Sequence, residues 1–186
     1  MKYNPDHHHR RSVRLTEYDY ATVGAYSVTI CAYGRECLFG KIIRGQMRLN
    51  DVGRIIQEEW QRTPQLRPNV KLDTFITMPN HFHGIVVITE SRRGVLQYAP
   101  TIGQNPGFRS PSQTLGAIVR GFKSAATRRV NLLHNTPGSR LWQRNYYEHI
   151  IRDEKDLSEI RRYISLNPRL WRYDEENPLG TLYRER

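Results

Sequence analysis

Two short clusters in this chain hold residue types able to do metal-assisted chemistry. His81-Phe82-His83 opens an apolar run that ends at Ile88. In an extended strand, residues two apart project from the same face, so both imidazoles point together while Phe82 packs behind. That gives a two-nitrogen bite for one divalent metal; the same pair also reads as two histidines hydrogen-bonded at a strand end. The second cluster is Tyr163 and Asn167, within Arg161-Arg162-Tyr163-Ile164-Ser165-Leu166-Asn167-Pro168. At a spacing of four they lie one helical turn apart on one face, bordering the stripe of Leu157, Ile160 and Ile164. Taken singly, Tyr163 reads as a core-edge aromatic and Asn167 as a C-terminal cap before a proline.

Together the clusters describe a coherent phosphoryl chemistry. Two neutral imidazoles and the Asn167 amide oxygen would hold a divalent cation without cancelling its charge, leaving it a strong Lewis acid toward a phosphodiester. A phenol is a fitting nucleophile there, because attack on phosphorus gives a phosphotyrosine that keeps the energy of the cleaved link and makes the step reversible. The ordinary tyrosine pKa of about 10 requires activation, by a metal or a base. Tyr146 and Tyr147 are rival nucleophiles, ranked below Tyr163 because neither has an amide four residues on.

The elements that must position these groups follow from the hydrophobic pattern. Gly24 to Tyr33 alternates and is rich in β-branched and aromatic residues, which predicts a strand. Gly34 to Arg48, punctuated by Gly34, Gly40 and Gly45, reads as a loop. Asn50 fits a helix N-cap, followed by Val52, Ile55, Ile56, Glu59 and Trp60 at helical spacing up to Pro64. Val70 to Thr77 and His81 to Thr89 are strands joined by a tight Pro79-Asn80 connection, the second apolar on both faces after the histidines and hence central. Ser91 to Gly107 is a loop. Ser112 or Thr114 caps a long helix with Leu115, Ile118, Val119, Phe122, Ala126, Val130 and Leu133 on one side. Tyr147 to Ile151 is a strand, and Asp153 or Glu154 starts a last helix that Pro168 is expected to stop. This order predicts an α+β, ferredoxin-like antiparallel sheet with helices on one face and an extra C-terminal helix carrying the tyrosine. The expected organisation is a basic N-terminal arm (1–19), one domain (20–168) and a basic C-terminal tail (169–186).

Composition bounds the partners. The 186 residues carry 29 Lys and Arg against 18 Asp and Glu, a formal charge of +11, and 38% hydrophobic residues, enough for a real core. Such an excess of cations predicts a polyanionic partner, with solvating charge as the plain alternative. The longest apolar run, Gly84 to Ile88, is far short of the ~20 residues a bilayer needs, so no membrane is expected. The polar, basic start has no apolar signal segment, and Cys31 and Cys37 make no disulfide framework, which together predict a cytoplasmic protein. His7, His8 and His9, followed by Arg10, Arg11 and Arg14, read as a solvated basic arm.

The run Met78-Pro79-Asn80-His81-Phe82-His83-Gly84-Ile85-Val86-Val87, followed by a helix with Tyr-x-x-x-Asn, resembles the HUH class of single-tyrosine transposases, and within it the REP-associated tyrosine transposases. The arm HHHRRSVRL and the stretch LWQRNYYEHIIRDEKDLSEIRRYISLNP add to the likeness, which spans about His8 to Asn167. The resemblance implies a ferredoxin-like domain, dependence on Mg²⁺ or Mn²⁺, and cleavage and rejoining of single-stranded or hairpin DNA through a 5′-phosphotyrosine. Carried over by motif, His81 and His83 match the metal-binding pair, Tyr163 the nucleophile and Asn167 the third ligand. Many insertion-sequence relatives have Gln where this chain has Asn167.

A DNA surface is expected from Arg120, Lys123, Arg128 and Arg129 on the long helix, from Arg144, and from Arg10, Arg11 and Arg14 in the arm. Trp142, Tyr146 and Tyr147 read as packing aromatics, with base stacking as the alternative. A non-catalytic nucleic-acid-binding module of the same fold is the second functional reading. A paired-histidine phosphoesterase would need a second His-bearing strand that the chain lacks, and replication initiators or relaxases usually carry further domains. The sequence leaves the oligomeric state open between monomer and homodimer.

Overall fold

A computed structural model describes residues 22–89, 114–174 and 176–178. The arm with Arg10, Arg11 and Arg14, and the expected loop of Ser91 to Gly107, lie outside the described residues.

The elements run β1 (Gly24–Cys31), β2 (Gly40–Ile43), β3 (Gln46–Leu49), α1 (Asp51–Gln61), α2 (Thr63–Leu66), β4 (Val70–Thr77), β5 (His81–Ile88), α3 (Leu115–His134), β6 (Tyr147–Ile151) and α4 (Glu154–Leu170). Four strands form one antiparallel sheet in the order β4-β5-β1-β6. With α1 and α3 as the crossovers, this is the ferredoxin-like arrangement the pattern predicts. The helix starts are set by local chemistry: the side chains of Asn50, Thr114 and Asp153 accept from the backbone N–H groups of Gly53, Ala117 and Asp156.

The main core lies on one face of the sheet. Tyr26, Val28 and Ile30 of β1 and Phe82, Val86 and Ile88 of β5 are buried there against Ile56 and Trp60 of α1 and Ile118, Phe122 and Ala126 of α3. The aromatic rings interlock: Trp60 stands 4.7 Å from Phe82 and 5.0 Å from Phe122, and Phe82 stands 5.3 Å from Phe122. Arg129 of α3 donates to Glu58 and to the buried Glu59, clamping α3 to α1.

Two expectations are corrected. The stretch read as a loop from Gly34 to Arg48 contains the β2–β3 hairpin, turned by Arg44 and Gly45, both at positive φ. Its turn dipeptide is Arg-Gly rather than the usual Asn-Gly or Asp-Gly, which hid it. Nor does Pro168 stop the last helix, which continues to Leu170 and passes into a 3₁₀ turn at Trp171–Tyr173.

Candidate active site

The other face of the sheet carries the candidate site. β5 is paired on both sides, with His81 opposite Cys31 and His83 between Thr29 of β1 and Ile76 of β4. Strand alternation that sends Phe82 into the aromatic core sends His81, His83 and Ile85 to this opposite face. Helix α4 closes it, burying Ile164 and Asn167. Arg161 fixes the helix to the sheet through two hydrogen bonds to Asp73 of β4, at 3.0 and 2.7 Å. That guanidinium holds the Asp73 carboxyl well below the usual carboxylate range.

The structure brings together all four residues expected at the metal and nucleophile positions. His81 is fully buried and His83 nearly so, their rings edge to face with centroids 4.5 Å apart. His83 Nδ1 lies 2.8 Å from Thr29 Oγ1, and its Nε2 lies 3.4 Å from Asn167 Nδ2. The Tyr163 ring stands edge to face with His83 at 5.2 Å, yet the residue is 51% exposed and so reachable by a substrate. Burial pushes both imidazoles down to about 3, with His81 adding to the effect on His83 and Asp174 opposing it. Both rings are therefore neutral at pH 7 and have lone pairs to give.

Two residues that sequence reasoning missed complete the site. The 3₁₀ turn after α4 brings Asp174 in, its Oδ2 4.0 Å from His81 Nε2 and its side chain largely buried. Asn80 anchors the segment beyond: its Nδ2 donates to the carbonyls of Arg35 and Glu176, and its Oδ1 faces His81 Nδ1 at 3.0 Å. Asp174 sits in a tail with no hydrophobic period, and Asn80 reads as an ordinary turn residue, so neither gave a signal in the sequence.

The donor set fits a divalent cation. Among the described residues, His81 Nε2 and Asn167 Oδ1 are buried atoms with no hydrogen-bond partner, as expected of atoms that a bound ligand satisfies. One ligand atom each from His81, His83 and Asp174 lie within 4.8 Å of one another. Two neutral nitrogens and one carboxylate could hold such an ion and leave it a net positive charge.

A second feature lies on the α3 side. A groove of about 2070 Å³ is lined by Arg35, Arg120, Lys123, Arg128, Arg140 and Arg144, with no carboxylate among the described lining residues. Arg120, Lys123, Arg128 and Arg144 thus share one groove, although the Lys123 ammonium is held by the carbonyls of Gln143 and Arg144. Arg129 does not belong with them: it lies outside the groove lining and its charge is spent on the α1 clamp. Trp142 is buried against Phe39 and Phe122, with ring centroids 5.1 and 5.7 Å away, and Tyr146 packs on the core, so both serve packing. Tyr147 is exposed and sits opposite Thr29 on the histidine face. No helix of the described residues is long and apolar enough to cross a membrane.

No protein-family model matches the chain. An uncharacterized protein of Haemophilus influenzae (strain ATCC 51907 / DSM 11121 / KW20 / Rd) is 47% identical over 178 residues, covering 94% of this chain and 96% of that one. Among solved structures, a REP-associated tyrosine transposase bound to a REP hairpin superposes with a TM-score of 0.59 at 17% identity, over 87% of this chain and 76% of that one. The chain therefore belongs to one family with the Haemophilus influenzae protein, and the fold of that family is the fold of a REP-associated tyrosine transposase.

Proposed function

We propose that the protein is a transposase-type enzyme that cleaves and rejoins single-stranded DNA next to a hairpin. The observation that carries this reading is an exposed Tyr163 ring against His83, beside buried ligand atoms with no hydrogen-bond partner among the described residues. Tyr163 Oη attacks the phosphorus, the P–O3′ bond breaks, and the phenol proton is lost while the departing 3′-oxygen takes one up. The products are a 5′-phosphotyrosine and a free 3′-hydroxyl, and attack by a 3′-hydroxyl reverses the step. Bound Mg²⁺ or Mn²⁺ would supply charge stabilisation at the phosphate oxygens. His81, His83 and Asp174 would hold it, with Asn167 as a further oxygen donor.

The chain's own residues do the positioning. Arg161 and Asp73 fix the helix that carries Tyr163, and the sheet fixes the histidines. The groove cations supply a path for the phosphate backbone, and the hairpin in the transposase of similar fold supports a hairpin as partner.

The test uses end-labelled hairpin DNA with Mn²⁺ and looks for an adduct that survives SDS. Tyr163→Phe and EDTA are both expected to abolish it, with at least a thousandfold loss in rate for the variant and an unchanged melting temperature. An adduct formed by Tyr163→Phe would move the nucleophile to Tyr147, which shares the face. Salt-sensitive binding with no adduct on any hairpin would leave a DNA-binding module.

A further inference from the structure

Asn80 is buried where three segments meet: the turn at Arg35, the head of β5, and the segment beyond α4. Its Nδ2 lies 3.0 Å from the Arg35 carbonyl and 2.6 Å from the Glu176 carbonyl. Carbonyl oxygens only accept, so both hydrogens of the amide are committed. Turning the amide over would set Oδ1 against two carbonyls and leave Nδ2 facing the histidine. The orientation is thereby fixed, with Oδ1 3.0 Å from His81 Nδ1. An amide oxygen only accepts as well, so the proton of this hydrogen bond must belong to His81 Nδ1.

We propose that Asn80 is a positioning residue that holds His81 in the tautomer protonated on Nδ1, presenting the Nε2 lone pair to the metal position. This rests on the metal-site reading above and deepens it. His81 Nε2 is buried with no hydrogen-bond partner among the described residues, and Asp174 Oδ2 lies 4.0 Å away. A doubly protonated ring paired with Asp174 is the competing state, and full burial of the imidazole opposes it. At His83 the Thr29 hydroxyl at Nδ1 can either donate or accept, and the only donor at Nε2 among the described residues is Asn167 Nδ2 at a longer 3.4 Å. At His81 the shorter contact to Asn80 dictates where the proton sits, an outer-shell role that commonly changes metal affinity 10–100-fold.

The experiment is long-range ¹H–¹⁵N NMR of the ¹⁵N-labelled full chain in EDTA at pH 7, with Mn²⁺ titrations of the same samples by calorimetry after EDTA is removed. In the wild type, His81 is expected to show a protonated Nδ1 and a bare Nε2. Asn80→Ala is expected to lose that pattern and bind Mn²⁺ about 10–100-fold more weakly. A wild-type His81 protonated on Nε2, or on both nitrogens, overturns the proposal, and this measurement needs no variant to fold. An Nδ1–H pattern that persists in a folded Asn80→Ala also overturns it. The expected tautomer without Mn²⁺ uptake would instead sink the metal reading, and the metal role of Asn80 with it.

Discussion

The two faces of β5 are built from alternate residues of one strand and do opposite things. On one face Phe82 meets Trp60, Phe122 and Phe75, and there is no space to spare: a Cβ on Gly84 would come within 2.7 Å of the Trp60 ring and 2.8 Å of the Phe82 ring. On the other face His81 and His83 are buried as deeply, yet His81 Nε2 and the nearby Asn167 Oδ1 have no hydrogen-bond partner among the described residues. The filled face stabilises the domain through apolar packing, although the indole N–H groups of Trp60 and Trp142 find no partner there among the described residues; on the histidine face the buried polar atoms converge with the Asp174 carboxylate into a set of ligand atoms. The difference separates a packing face from a face of converging ligand atoms.

That division can be tested by its consequences, the largest being acid sensitivity confined to the histidine face. Both imidazoles have folded-state pKa values near 3, against about 6.5 in an unfolded chain. Below 6.5 the unfolded state binds more protons, so stability is complete above that pH and is lost as the pH falls from 6.5 toward 3. The two rings together give a slope of up to about 2.7 kcal/mol per pH unit in metal-free protein. Urea unfolding at pH 7, 6 and 5 measures it, with His83→Gln expected to remove about half of the slope. A stability that stays flat to pH 5 would show that the rings are not buried neutral.

On the filled face, Phe82→Ala is expected to cost about 3–5 kcal/mol, read as a lower urea midpoint, and Gly84→Ala about 1–3 kcal/mol through overpacking. Equal damage to Mn²⁺ affinity at unchanged stability would erase the distinction between the faces. The smallest effect belongs to the groove. Arg120→Ala combined with Arg128→Ala should lower the slope of log affinity for single-stranded DNA against log salt by about 0.7 for each phosphate contact removed. Arg129→Ala should leave that slope alone and lower the melting temperature, because its partners are Glu58 and Glu59. A change of slope with Arg129→Ala would return it to the DNA surface.

Much of this was legible in the residues. Period-two alternation around His81-Phe82-His83 gives both the strand and its shared histidine face, and the i, i+4 spacing of Tyr163 and Asn167 gives their shared turn of α4. Thr114 and Asp153 are found at the helix starts because capping is a local interaction. What escaped is set by tertiary contact. Asp174 reaches His81 across the whole domain, Asn80 acquires its role from carbonyls at Arg35 and Glu176, and Arg129 takes partners 70 and 71 residues away. The helix outlasts Pro168 because a proline that close to a helix end breaks only the final turn's bonding.

The parts of the site are also separated in time. Thr29 and His83 are 54 residues apart and His83 and Asn167 are 84 apart, so a ribosome completes the histidine strand well before the helix that carries the tyrosine. A nascent chain passes through a stage in which the sheet's four strands are not all made and Tyr163 does not yet stand beside the imidazoles. The contact between Tyr163 and His83 is then among the last that the described residues can make as the chain is synthesised and folds.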